Sequence, residues 1–220
     1  MSVRDELQGV LARLLELRPG PLTMWPQLDS DSGQEPPFAI GLAPWSVGIA
    51  EDLHRQFGDD VELTVGALPY PPGRPQRYQG HGGQPADLLD PGEVAAELDG
   101  AAVIGSGHTL WHGLLLRNLT DRDLEIVTNG QVTAEIVDPR SGEVVGGYPG
   151  MQTLKAVVFA VAPATSERIP LLIGTASYTP RLGYAIPAGE WGIQVTLKLG
   201  RCSSDALRRR TPVLPLTVTG

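Results

Sequence analysis

The stretch LWHGLLLRNLTDRDLEIVTNGQVTAEIVDPRSGEVV, residues 110–145, decides the fold, because apolar and polar residues alternate along it. A period of two is typical of β-strands with one buried face. The apolar runs predict strands at 110–119, 124–128 and 132–137. Asn129-Gly130 separates the last two runs and is a strong hairpin signal, since both residues tolerate positive φ. The stretch therefore predicts successive strands joined by tight turns.

The same pattern continues to the end of the chain. Further strands are expected at 144–147, 156–161, 169–173, 193–199 and 213–218. About eight short strands with regular turns predict an antiparallel immunoglobulin-like β-sandwich, and the lack of a long intervening helix argues against parallel pairing. The cysteine pair of antibody domains is absent, so apolar packing must hold the core. Trp111 and Trp191 are expected to be its largest side chains.

The N-terminal region has a helical pattern first. Val3, Leu7, Val10, Leu14 and Leu17 recur at spacings of four and three, which is typical of an amphipathic helix. A polar loop is expected at 26–37. The apolar runs at 38–42 and 61–65 then predict two strands around a helix that Ser46 caps and Gly58 ends. The two strands could be parallel or antiparallel, because one βαβ-sized unit does not settle their order.

A proline- and glycine-rich stretch at 69–85 predicts a linker. It divides the chain into an N-terminal helix and βαβ region, 1–68, and a C-terminal region, 86–220. The C-terminal region is expected to open with a short helix from Asp90, its cap, to Leu98. The predicted fold class is therefore α+β, with the sandwich in the second region.

The composition narrows the range of functions. A hydrophobic fraction of 41% fits a globular protein, and the net charge of −8 disfavours nucleic acid as a partner. The single cysteine, Cys202, excludes an internal disulfide and a cysteine-based zinc site. No signal peptide or membrane-spanning run is recognisable, so a cytoplasmic location without membrane contact is expected. The bias of 15 Arg to 2 Lys is similar to that of proteins from high-GC actinobacteria.

The sequence holds no convincing catalytic or metal-binding motif, so neither an enzyme nor a cofactor is expected. His108 and His112 are four apart, which on a strand separates their rings by about 13 Å. Gly105-Ser106-Gly107-His108 lacks the spacing of the hydrolase nucleophile elbow and reads as a turn. For Cys202, nothing in the sequence indicates a histidine partner.

One family resemblance is present. Residues 114–145 resemble the opening of the immunoglobulin-like domain in the bacterial intracellular proteinase inhibitor family, with a strand ending in Asn118 and a later Asp-x-x-x-Gly turn. Ile186-Pro187-Ala188-Gly189-Glu190-Trp191 resembles the entry to a later strand of that family. The resemblance covers residues 114–200. It implies an immunoglobulin-like fold and, by analogy, a function in protease inhibition.

Two irregular stretches, 174–190 and 200–211, are the candidate binding loops. Tyrosine and arginine are enriched in interface hot spots, and these stretches contain Tyr178, Arg181, Tyr184, Arg208, Arg209 and Arg210. The alternative is that Tyr178 and Tyr184 pack under their own loop, and the two stretches could lie at opposite ends of the strand they flank.

The predicted function is a non-catalytic module that binds another protein. Two alternatives stay open. The first is protease inhibition through a sandwich loop. The second is an enzyme with a site between the two regions, using His81, His108 or His112.

Overall fold

The computed structural model describes residues 2–17, 20–23, 38–66, 68–70, 86–150, 155–200 and 207–220, with backbone alone for 68–70. Its α-helices are α1, Val3–Leu15, and α2, Val47–Phe57. The first strands are β1, Phe38–Leu42; β2, Val61–Val65; β3, Leu68–Tyr70; β4, Asp87–Leu88; β5, Val94–Leu98; β6, Val103–Gly105; β7, Thr109–Asn118; and β8, Leu124–Thr128. The later strands are β9, Val132–Val137; β10, Val144–Gly147; β11, Val157–Val161; β12, Ser166–Gly174; β13, Ala176–Ser177; β14, Gly189–Leu199; β15, Leu207–Arg210; and β16, Leu214–Thr219.

The N-terminal unit is a three-stranded sheet with α2 as its crossover. β1 and β2 are parallel neighbours, which settles the order that the sequence left open, and β3 is antiparallel to β2. α2 buries Val47, Ala50, Leu53 and Phe57, at the spacing that the sequence predicted. Ser46 does not cap the helix with its side chain, because its hydroxyl donates instead to the carbonyl oxygen of Pro21 at 3.3 Å.

α1 packs on this unit through a narrower stripe than its sequence suggested. Leu7 and Leu11 are buried, whereas Val3 and Leu17 are about half exposed, at 46% and 52%. The helix begins with a capping box in which the Ser2 hydroxyl accepts from the Asp5 amide and the Asp5 carboxylate accepts from the Ser2 amide.

The remaining described residues are mostly β and form a curled, multi-stranded sheet. Its main path runs β11-β8-β14-β9-β12-β7-β5. The long strand β14 links the ladders, because its first part pairs with β16, its middle with β9, and its end with β15 and β8. One apolar core lies inside the curl, and its fully buried members include Leu114, Ile136 and Ile193. Strands expected at 124–128, 132–137 and 144–147 are confirmed as β8, β9 and β10.

Parallel pairing does occur, contrary to expectation. Most ladders are antiparallel, but β9 meets β12, β4 meets β15 and β6 meets β16 in parallel over two or three residue pairs. The two strands of each pair are well separated in the chain, so the long connection needed for parallel neighbours is available without a helix.

The short helix predicted from Asp90 to Leu98 is wrong. Residues Val94–Leu98 form β5, which pairs antiparallel with the end of β7. Asp90 caps a turn instead, where its carboxylate accepts from the Gly92 amide at 2.8 Å. The composition Val-Ala-Ala-Glu-Leu suits either structure, and pairing with β7 together with burial of Val94 selects the strand.

Several predicted irregular stretches are partly regular or lie outside the described residues. β3 overlaps the start of the predicted 69–85 linker, and β15 occupies 207–210 within the predicted loop 200–211. The polar loop at 26–37, the rest of the linker from residue 71 to 85, and residues 201–206 fall outside the part that the structure describes.

Candidate protein-binding surface

The indole of Trp111 lies on the outer face of the curled sheet. Along β7, Leu114 and Leu116 point inward and are 0% exposed, so residues of the opposite phase point outward. Trp111 belongs to that outward phase and is 61% exposed. Its predicted place in the core is therefore wrong. Trp191 does pack against the core, as expected, although it is only partly buried.

A glycine beside Trp111 gives room to a neighbouring arginine. Gly113 is buried, and a β-carbon there would lie 2.5 Å from Nε of Arg168, which comes from the adjacent strand β12. The Arg168 side chain can lie across β7 because Gly113 has no side chain. Its Nε donates to the Asp99 carboxylate at 2.5 Å, so an ion pair spans the strand next to the indole.

The strand register identifies the other outward neighbours. Pro170 lies beside Gly113, Arg168 lies beside Leu115, and Glu97 of β5 lies on the other side of Leu115. We call this set the Trp111 surface; it comprises Trp111, Leu115, Pro170, Arg168, Asp99 and Glu97. The set combines apolar side chains with an ion pair, because Arg168 lies over Gly113, between Trp111 and Leu115.

The structure places Tyr184 inside the molecule. Tyr184 is 9% exposed and belongs to the apolar cluster of the N-terminal unit. Its ring meets the ring of His54 on α2, with centroids 5.4 Å apart. Burial, with a smaller contribution from the Glu51 carboxylate, raises the pKa of the Tyr184 phenol to about 12. Tyr178 packs partly against the same cluster, and its hydroxyl donates to the carbonyl oxygen of Tyr148 at 3.3 Å.

The four candidate arginines contact neighbouring groups of the chain. Arg181 lies 3.5 Å from the Asp138 carboxylate and 3.6 Å from that of Glu143. On β15, Arg209 lies 3.3 Å from the Asp87 carboxylate, and Arg210 donates to the Ala86 carbonyl at 2.9 Å. Arg208 lies beside Lys198 on the neighbouring strand β14.

The six candidate residues form two separate groups. Tyr178, Arg181 and Tyr184 precede the first residue of β14, whereas the three arginines of β15 pair with residues 196–198, near its end. The ten steps from Gly189 to Leu199 span about 33 Å along a strand. The structure therefore places these groups toward opposite ends of β14.

The polar residues considered for catalysis have structural contacts. The Ser106 hydroxyl donates to the Ile186 carbonyl at 2.8 Å, and Nδ1 of His108 lies 2.9 Å from the Ser106 carbonyl. Nε2 of His112 lies 3.3 Å from the carbonyl oxygen of Ala101. Within the described residues, no group of three or more side chains could hold a metal ion. His81 and Cys202 are outside that part of the chain.

Comparisons with known proteins give weak structural similarity. No protein-family model and no curated protein matches the chain. A CARDB domain from Pyrococcus furiosus, solved in complex with di-metal ions, is 13% identical with a TM-score of 0.31, over 62% of this chain and 95% of that one. Escherichia coli alpha-2-macroglobulin, from domain MG7 to the C-terminus, is 22% identical with a TM-score of 0.30, over 58% of this chain and 17% of that one.

A PapD-like domain of human CEP192 is 10% identical with a TM-score of 0.25, over 63% of this chain and 96% of that one. Similarities of this size carry no functional inference. Separately, none of the helices in the described ranges has the length and apolar character needed to cross a membrane.

Proposed function

We propose that this chain is a non-catalytic module that binds another protein through the Trp111 surface. The 61% exposure of Trp111, a large side chain near the start of a ten-residue strand, carries the proposal. Tryptophan and arginine dominate binding energy in protein interfaces, and both are adjacent here.

The surface is held in place before any partner arrives. β7 pairs with β12 over nine residues, from Thr109 opposite Gly174 to Arg117 opposite Ser166. The ion pair with Asp99 already restrains the Arg168 side chain. Because ordering flexible groups opposes association, a surface with a fixed backbone and a restrained arginine loses less free energy on binding.

We also propose that the curled sheet closes as an immunoglobulin-like sandwich, and that the module works in the cytoplasm without a cofactor. The single core supports the sandwich, because it takes buried side chains from both ends of the strand path, Val161 of β11 and Val94 of β5 included. The lone Cys202, which leaves no internal disulfide, supports a reducing compartment.

Matched tryptophan variants test the binding surface. Trp111→Ala should weaken retention of the native partner by about 2 kcal/mol, roughly 30-fold, because a buried interface tryptophan would be lost. Trp45→Ala is the control, since Trp45 is also exposed, at 44%, but lies between β1 and α2. Affinity would be compared by titrating tagged variants into native cell extract and quantifying each retained protein.

The result expected is one retained protein that Trp111→Ala loses and Trp45→Ala keeps. Equal retention by the wild type and both variants would show that the partner does not bind at the Trp111 surface. A chain that retains nothing under conditions that preserve weak complexes would remove the binding function itself.

The inhibitor and enzyme alternatives stay predictions from the sequence. A screen against serine, cysteine and metalloproteases checks the first. Replacing His81, His108 and His112 together checks the second, through any activity or metal content that the wild type is found to have.

A further inference from the structure

One edge of the curled sheet differs from the other edges that the structure describes. β11 pairs with β8 and, within the described ranges, with no other strand, so it ends the strand path. The unpaired groups of a sheet edge are a template for another strand, and proteins usually protect such edges with charge, proline or short length.

The other edge strands of the curled sheet have such protection. At the opposite end of the path, β5 contains Glu97 and is followed by Asp99. β4 and β13 have two residues each, and β6 has three. None of these offers a long, uncharged ladder.

β11 has no comparable protection along its strand. It has five residues, and the eleven residues from 156 to 166 contain no charged side chain. Val158 and Ala160 point outward and are exposed, with Val158 at 49%. At the far end, the Val161 carbonyl accepts from the Asn118 side chain at 2.9 Å, which satisfies one group of the strand.

We propose that β11 pairs antiparallel with β11 of a second copy, so that the two sheets join across a two-fold axis. This proposal concerns a surface other than the Trp111 surface and does not depend on the proposed function. A segment that pairs with this edge should be extended, apolar and uncharged, and β11 of a second copy has these properties.

Charge also favours a contact at this place. Two copies each carry a net charge of −8 and repel one another on average. That repulsion is weakest where the meeting segments carry no charge, as residues 156–166 do. A two-fold contact uses the same patch on both copies and closes at a dimer, because each copy has one such edge in its described part.

The side chains are compatible with self-pairing. Two antiparallel registers keep outward side chains opposite outward side chains. Val158 lies opposite Val158 of the second copy in one register and opposite Ala160 in the other. In both registers, Phe159 lies opposite an apolar residue on the other face. The interface is one strand wide, so it belongs to the small and weak class.

Sedimentation velocity of the purified chain, from about 1 to about 500 µM, tests the proposal, since small interfaces dissociate in this range. The wild type should shift from monomer to dimer. Val158→Lys should weaken the dimer at least about tenfold, because the two lysines would be directly opposite in one register and diagonal neighbours in the other, and like charges at either spacing repel. Val213→Lys is the control: Val213 is similarly exposed, at 52%, and lies just before β16 rather than on β11, so the dimer should persist.

A second readout distinguishes pairing from general association. Hydrogen exchange of residues 157–161 should slow as the wild-type concentration rises and should not change for Val158→Lys. A wild type that stays monomeric throughout, open-ended assemblies, or equal effects of the two lysine variants would each overturn the proposal. Trp111→Ala should leave the dimer unchanged, so loss of partner binding and loss of self-pairing are separable.

Discussion

At the scale of single residues, Asn118 links three segments of the β-rich region. Its side chain is 0% exposed and donates to the carbonyls of Arg122, at 2.7 Å, and Val161, at 2.9 Å. Its oxygen accepts from both the amide and the hydroxyl of Thr120. One amide therefore connects the end of β7, the following turn and the end of β11.

Asn118→Ala should lower the free energy of unfolding by about 1–3 kcal/mol, because the buried Val161 carbonyl would lose its side-chain donor, while the Arg122 carbonyl keeps the Thr120 hydroxyl as a donor. Urea unfolding of the wild type and variant measures the difference. Asn129→Ala is the control; its side chain accepts from one amide, that of Gln131, at 3.3 Å in a turn, and should cost less than about 1 kcal/mol. Equal costs at the two positions would contradict the bridging role of Asn118.

Trp111 shows which features of the candidate site could be predicted from the sequence. Its size suggested the core, yet it is six positions from Arg117, an even spacing that places both on one face of a strand. That phase was a usable signal for exposure. No comparable signal predicts that Arg168 lies over Gly113, because β12 and β7 are distant in the chain and their register is a property of the fold.

At the scale of secondary-structure elements, local patterns predicted most strands and missed those that depend on distant partners. β8 and β9 combine apolar runs with an Asn-Gly turn, so their bounds follow from short-range chemistry. β5 and β15 lack a clear alternation. Both are strands because β7 and β14 supply the hydrogen bonds, and local propensity does not contain that information.

The contact between α2 and the segment around Tyr184 makes stability depend on alkaline pH. Since the pKa of Tyr184 is about 12 in the folded state, against about 10 for an exposed tyrosine, folding favours the neutral phenol. This contribution is complete below pH 10 and is lost as the pH rises to 12, because the unfolded chain ionises first.

Chemical unfolding at several values between pH 9 and 12 should therefore show a steeper loss of stability for the wild type than for Tyr184→Phe. The difference should reach roughly 1–3 kcal/mol. The comparison with Tyr184→Phe isolates this residue, because burial also raises the pKa of Tyr148, which both proteins retain. Parallel curves would show that Tyr184 is not buried in solution.

At the scale of the whole molecule, the N-terminal unit packs against the curled sheet. Ala176, Tyr184 and Ala185 complete an apolar cluster that otherwise belongs to α1, α2 and the small sheet. At a second contact, Gly107 adopts φ +75° and a β-carbon there would lie 3.0 Å from the Gly48 amide at the start of α2. The sequence did not predict this packing, because the proline- and glycine-rich composition of the linker suggested two separate regions.

Gly107→Ala should loosen this contact and speed hydrogen exchange in α2. Gly100→Ala is a matched control, because Gly100 also has positive φ, +94°, but a β-carbon there would meet nothing within 4 Å. Both variants carry the backbone cost of about 1 kcal/mol for a left-handed alanine. Faster exchange in α2 for both variants alike would show that the close approach to Gly48 has no role.

Oxidative footprinting of the unmodified chain shows whether the Trp111 surface is covered by a protein partner. Tryptophan oxidation would be compared between purified protein and native cell extract. In purified protein, Trp111 should be oxidised readily. In extract, its oxidation rate should fall several-fold, while that of the exposed Trp45 should change little. Equal oxidation of Trp111 in both conditions, or slow oxidation in the purified protein, would contradict partner binding at this surface.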